Sequence, residues 1–343
     1  LRKNFKFILL FLFAVFILWF FGRNLNWSEV SQSLQKARAV YVTSAVLIIC
    51  FGYLLRAKRW QVLLSPITET SLKELFATTT VGFAAMFFIG RMGEMVRPMW
   101  LPMRDNRVRP SAALVTLGLE RVLDLAALIT LFALNLLWFQ PPQSSNGTDF
   151  NYIKTVGILM LFGVFVGIIS LIIYSKISSK IIAWLETKNL FSSRLKRIII
   201  SIFKQLANAL EILKDWKELL EVIFWTFSLW LAIAIPTWLV LLAFDLPLSF
   251  SDSLFILGFA SVSSVVPTPG GAAGAFHTAT AASLIFMNVN QELAVATAIV
   301  MHLVYFAPAV IFGFYYFFKG DISIERLKNL LSAEEVEIEL TKG

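Results

Sequence analysis

The sequence predicts an all-α polytopic integral membrane protein, with about six transmembrane helices plus two opposed re-entrant half-helix hairpins in an inverted repeat. Three observations lead there. Of 343 residues, 58% are hydrophobic and only 15% charged, against about 25% charged in soluble domains. Several apolar runs approach or reach the ~20 residues that a helix needs to cross a bilayer. Two further regions are too short and close on clusters of Gly, Pro and Arg, which places irregular backbone at membrane depth. Such backbone is tolerated there only when buried in protein or lining a wet cavity.

In chain order, Phe5 to Phe21 is the first span, led by Arg2, Lys3 and Lys6. No small-residue cleavage site follows, so it is expected as a retained span rather than a secretory signal. Asn24 to Ala39 is polar and mildly amphipathic, an interfacial helix with Trp27 at headgroup depth. Val40 to Leu55 is the second span, closed by Arg56, Lys58 and Arg59. Leu75 to Ile89 is apolar but short; it runs into Gly90-Arg91-Met92-Gly93-Glu94-Met95-Val96-Arg97-Pro98, then Met99 to Met103. Ala112 to Phe139 is long and apolar yet carries Glu120, Arg121 and Asp124.

Pro141 to Phe150 is a loop by composition, and Val156 to Tyr174 is a span. Ser175 to Glu218 holds nine Lys/Arg with apolar residues three and four apart, the pattern of one or two amphipathic cytoplasmic helices along the membrane surface. Leu219 to Phe244 is a span interrupted at Pro236. After the short turn Asp245 to Asp252 comes the second break. Val266-Pro267-Thr268-Pro269-Gly270-Gly271-Ala272-Ala273-Gly274-Ala275-Phe276-His277 lies between the short runs Leu254 to Val265 and Thr278 to Met287. One helix kinked at Pro267 and Pro269 is the alternative to a hairpin. Leu293 to Phe318 is the last span, and residues 319–343 form a polar cytoplasmic tail.

Charge orients the chain. If Leu75 to Met103 enters and leaves on one face, that face holds 23 of the 30 Lys/Arg, as the positive-inside bias requires. A full span at Leu75 to Ile89 would instead send Arg104, Arg107 and Arg109 to the far side. Both termini are then cytoplasmic in an inner membrane, and 1–343 is a single transmembrane domain. Residues 1–140 and 150–318 are its inverted halves, whose broken segments enter from opposite faces and can meet near the midplane.

Within the membrane, Arg91, Glu94 and Arg97 recur at one-turn spacing. Two guanidinium groups against one carboxylate suit a phosphate, which Arg grips bidentately; nonspecific contact with headgroups at the interface is the plainer alternative. Glu120, Arg121 and Asp124 form a second set, for which ion pairing between spans and a direct role in transport both stand. A charge near the bilayer centre costs at least about 2.5–3.5 kcal/mol, so both sets should face the bundle interior. His277 and His302 are the only histidines, and Cys50 the only cysteine, so neither a disulfide nor a metal site is expected. No nucleophile–base set, Walker loop or nucleotide fingerprint is present, no cofactor is expected, and a net charge of +8 fits anionic headgroups rather than nucleic acid.

The three motifs, Gly90-Arg91-x-Gly93-Glu94-x-x-Arg97, Leu119-Glu120-Arg121-x-x-Asp124 and Pro267-Thr268-Pro269-Gly270-Gly271-x-x-Gly274-x-Phe276, fall in an order that resembles the lysylphosphatidylglycerol synthase transmembrane region family. This family is also known as flippase-like domain proteins. The resemblance implies translocation of an anionic lipid, a phospholipid or a polyprenyl-phosphate-linked lipid, by a non-enzymatic membrane protein. Arg91, Glu94, Arg97, Glu120, Arg121 and Asp124 would hold the headgroup. Pro267, Thr268, Pro269, Gly270, Gly271, Gly274 and His277 would form the gate. Two departures stand out. The 25 residues after Phe318 are too few for an aminoacyl-transferase domain, so lysine transfer is not expected, and His277 stands where the family commonly carries Glu. Two alternatives accompany this expectation: an accessory subunit docking a glycosyltransferase or lipid-modifying enzyme through 175–218, and an intramembrane enzyme on a prenyl-linked lipid with Glu120 or Asp124 as base.

Overall fold

Asn26 opens the first helix of the computed structural model, which describes residues 25–142, 147–187, 216–263 and 269–320 with scattered positions between 199 and 210. Its side chain accepts from the Ser28 amide, one of the orphan donors at a helix start. This helix, α1 (Trp27–Lys36), leads into α2 (Ala39–Leu64). The expected first span, Pro267 and Thr268 of the second break, residues 188–198 and the tail beyond Gly320 lie outside the described residues.

Ser71 caps α3 (Leu72–Ile89) by accepting from the Glu74 amide, as the Ser-x-x-Glu spacing anticipates. At Gly90 (φ 68°) the α-helix stops, a 3₁₀ stretch covers Gly90–Met95, and α4 (Val96–Arg104) begins. Taken as one piece, Leu72–Arg104 is long and apolar enough to cross a membrane. It does not run straight. Arg104, at the end of α4, places Nη2 3.0 Å from Glu74 Oε1 and also pairs through Nε, 30 positions back at the start of α3. The two arms lie side by side, and Gly93 lies so near the Ala85–Met86 backbone that a Cβ would stand 2.3 Å from it.

Pro110 occupies the first turn of α5 (Pro110–Trp138), where its missing N–H costs nothing. Then follow α6 (Gly147–Thr187), α7 (Trp216–Ala243), α8 (Phe250–Ser263), α9 (Pro269–Phe286) and α10 (Gln291–Lys319). Helices α8 and α9 make a second hairpin. Phe255 near its start stacks on Phe286 near its end, with ring centroids 5.6 Å apart. The first arm has 14 residues, about 21 Å at 1.5 Å per residue, against roughly 30 Å of hydrocarbon.

Helix α5 shows how the hairpins are related. With 29 residues it is about 43 Å long. Around its start, Val108 and Ala113 share a core with Leu75 and Leu101 at the base of the first hairpin. Just beyond its end, Phe139 stacks on Phe255 at 4.5 Å, and Asn135 and Ser251 exchange hydrogen bonds of 2.7 and 2.9 Å at the base of the second. The hairpins therefore approach from opposite ends of α5. Their inner parts meet: α9 packs against α3 and the 3₁₀ stretch, and Phe87 lies 6.1 Å from the His302 ring and 5.9 Å from Phe306.

With α2, α6, α7 and α10 each long and apolar enough to cross a bilayer, the chain is an all-α multi-pass membrane protein. Several boundaries differ from expectation, and α6 already begins at Gly147, inside the expected loop of Pro141 to Phe150. Helix α2 does not close at Arg56–Arg59 but continues through Trp60, Leu63 and Leu64, all fully buried. The basic segment does not begin a new surface helix at Ser175; α6 carries on unbroken to Thr187, since no proline interrupts it and basic residues alone do not end a helix.

Candidate functional site

Arg97 is the second residue of α4, just beyond the 3₁₀ stretch, and its methylenes lie across Gly82 of α3. The guanidinium is fully buried. Its Nη1 and Nη2 reach the Glu120 carboxylate at 2.6 and 3.3 Å, and its Cζ lies 4.1 Å from the Trp60 ring centroid. A fork on a carboxylate with an aromatic face beneath is the geometry that lets Arg be buried. One turn along α5, Asp124 takes a 2.6 Å hydrogen bond from Arg59 Nη1. Arg121 Nη2 stands 3.1 Å and Arg56 Nη1 3.5 Å from the other Asp124 oxygen. Arg121 also approaches Glu94 of the 3₁₀ stretch, at 3.1 Å.

The structure thus joins Glu94, Arg97, Glu120, Arg121 and Asp124 into one cluster where α2, α5 and the first hairpin converge. Arg91, half-buried, lies on the same 3₁₀ stretch as Glu94. Ion pairing between spans joins the two sets, each supplying partners to the other: Arg97 to Glu120, and Glu94 to Arg121. Four arginines (56, 59, 97 and 121) face three carboxylates, so the buried cluster carries excess positive charge.

At the second hairpin, Gly270 (φ 75°), Gly271 (φ 63°) and Ala272 (φ 62°) make a left-handed turn before the helix settles, a conformation that glycine tolerates and other residues resist. His302 of α10 holds the turn, with Nε2 3.3 Å from the Gly271 carbonyl. The His277 and His302 rings are 4.8 Å apart, with Phe276 and Phe306 against His302. The Gly274 carbonyl accepts from Thr278 Oγ1. Among the described residues no group of three or more His, Cys, Asp or Glu is placed to hold a metal ion.

A family model described as the lysylphosphatidylglycerol synthase TM region matches residues 7–313. The chain belongs to this family. No curated protein matches it. The match to the lysylphosphatidylglycerol synthase TM region takes in both hairpins, the charged cluster and the histidine pair, and links this membrane domain to lipid handling.

Within this domain the sequence signals missed Arg56, Arg59 and Trp60. Following an apolar run, the two arginines read as the start of a loop, whereas the structure places them inside the protein on α2. A signal was present: Ala57, Trp60, Leu63 and Leu64 continue the helical spacing of apolar residues past the arginines.

Proposed function

We propose that the protein is a flippase-like lipid translocase that binds a phosphate-bearing lipid and moves it between leaflets. The substrate would be a phospholipid or a polyprenyl-phosphate-linked lipid. The observation that carries this reading is the meeting of two opposed hairpins beside a buried cluster with excess positive charge. Short hairpins whose inner parts meet between spans leave a region of protein-lined, irregular backbone at membrane depth, the arrangement in which transporters hold polar cargo. In this reading each hairpin is re-entrant, and the Gly270–Ala272 turn with His277 and His302 forms the gate. Excess guanidinium charge attracts a phosphate and disfavours cationic or neutral headgroups. The chain would act without chemistry on the lipid, in an inner membrane with both termini cytoplasmic, where anionic headgroups meet the basic face.

The test is a bleaching assay in liposomes that carry a fluorescent phospholipid in both leaflets. An impermeant reductant destroys the outer-leaflet dye, about half of the total. Liposomes holding the protein should lose well over half. A plateau equal to that of protein-free liposomes, across phospholipid and polyprenyl-phosphate probes, would overturn the reading.

A further inference from the structure

The charged cluster contains more donors than its carboxylates accept, and the surplus is concentrated in one place. Arg56, Arg59 and Arg121, from two helices, converge on the single carboxylate of Asp124 at 3.5, 2.6 and 3.1 Å. Only the Arg59 Nη1 contact has hydrogen-bond geometry. Arg59 Nε and Nη2, Arg56 Nη1, and Arg121 Nε and Nη2 are buried without an aligned acceptor among the described residues. Arg59 is wholly buried, whereas Arg56 and Arg121 keep 14% and 30% of their side-chain surface open. Arg97 differs from these three, because Glu120 accepts from both of its Nη nitrogens.

Unsatisfied buried donors cost about 1–3 kcal/mol each, and more when charged, so native proteins keep few without a reason. Arg121 also pairs with Glu94 at 3.1 Å, so Arg56 and Arg59 against Asp124 leave one positive charge in excess. A phosphate supplies what is missing: negative charge and several acceptor oxygens able to take the idle N–H groups bidentately.

We infer that Arg56, Arg59 and Arg121 form the phosphate seat, with Asp124 the internal carboxylate that an incoming phosphate displaces from them. The ligand is a phosphomonoester or phosphodiester, entering from the side of Arg56 and Arg121. This inference rests on the lipid reading above for the source of that phosphate, while the seat itself rests on the arginine geometry. Arg97 and Glu120 are positioning residues, which fix α4 to α5 beside the seat.

The test titrates inorganic phosphate and, separately, dihexanoyl phosphatidic acid into the full chain in detergent, by calorimetry. Arg56→Gln, Arg121→Gln and Asp124→Asn are compared with wild type, and each variant's melting temperature is recorded. The two glutamine variants should weaken binding of the phosphate probes at least tenfold. Asp124→Asn should tighten it several-fold, because the internal competitor is gone; a purely structural Asp124 would not produce a gain. If both glutamine variants bind as wild type does and Asp124→Asn brings no gain, the seat is overturned. Inorganic phosphate binding as tightly as the lipid would support the seat and assign it to free phosphate. Lipid binding that survives in the variants overturns the seat and leaves the translocase reading standing. Wild type binding neither probe overturns the seat, and the bleaching assay then judges the translocase separately.

Discussion

Arg97 grips Glu120 with both ends of its guanidinium fork, 2.6 and 3.3 Å away, while Trp60 lies against its face. Three elements that are distant in the chain, α2, α4 and α5, are thereby tied at one buried point. Breaking a buried pair from one side leaves the other charge stranded. Arg97→Met should therefore destabilise the protein by about 3–5 kcal/mol, whereas Arg97→Met with Glu120→Leu should recover most of that loss. Denaturant unfolding in detergent micelles, followed by tryptophan fluorescence, measures both.

The Glu74–Arg104 ion pair gives a direct check on the first hairpin. In a straight helix these positions would stand about 45 Å apart at 1.5 Å per residue; here the side chains touch. In a Cys50→Ala background, cysteines placed at 74 and 104 should be joined by a short bifunctional thiol reagent in native membranes. Failure to cross-link, with both thiols reactive to monofunctional reagents, would restore a single long span.

Close backbone approach makes Gly93 irreplaceable. A Cβ there would stand 2.3 Å from main-chain atoms of Ala85 and Met86, which cannot rotate away, while Gly118 has nothing within 4 Å. Gly93→Ala should force the hairpin apart and cost more than the ~1–3 kcal/mol of ordinary overpacking. Gly118→Ala should be neutral or stabilise α5 by up to about 1 kcal/mol, since alanine is the better helix former. Melting of the two variants side by side decides this.

Two separate strains meet at Gly271. Its φ of 63° disfavours any side chain, and a Cβ would press within 2.7 Å of Phe306. Gly271→Ala should cost more than about 1 kcal/mol. Adding Phe306→Leu should return the steric part only. In hydrogen exchange, amides around Gly270–Gly274 should exchange faster in Gly271→Ala, and the double variant should fall between it and wild type.

How much of this was legible in the chain differs by feature. Helical segments, their approximate ends and both breaks follow from local properties. Apolar run length against bilayer thickness, and Gly and Pro at Gly90–Pro98 and Pro267–Gly274, act within a few residues of one another. The Lys/Arg bias favours a folded-back path for Leu72–Arg104, since a straight span would part Arg104, Arg107 and Arg109 from the other basic segments. The Glu74–Arg104 contact shows the fold-back. Charge identity marked Glu94, Arg97, Glu120, Arg121 and Asp124 as an interior group.

Only the tertiary structure decided who meets whom. A helix in lipid is apolar on every side, so its pattern does not reveal the face that packs inward, as it would in a water-soluble domain. Arg56 and Arg59 looked like a cytoplasmic end because the partner that makes their burial affordable, Asp124, lies 65 positions beyond Arg59. The extension of α6 to Thr187 was obscured similarly, since lysines signal a change of solvent and not the end of a helix. The sequence alone determined which segments are helical, where they break and which charges must be sheltered. Lateral packing determined which charges shelter one another, because that depends on contacts between helices that no single run of residues contains.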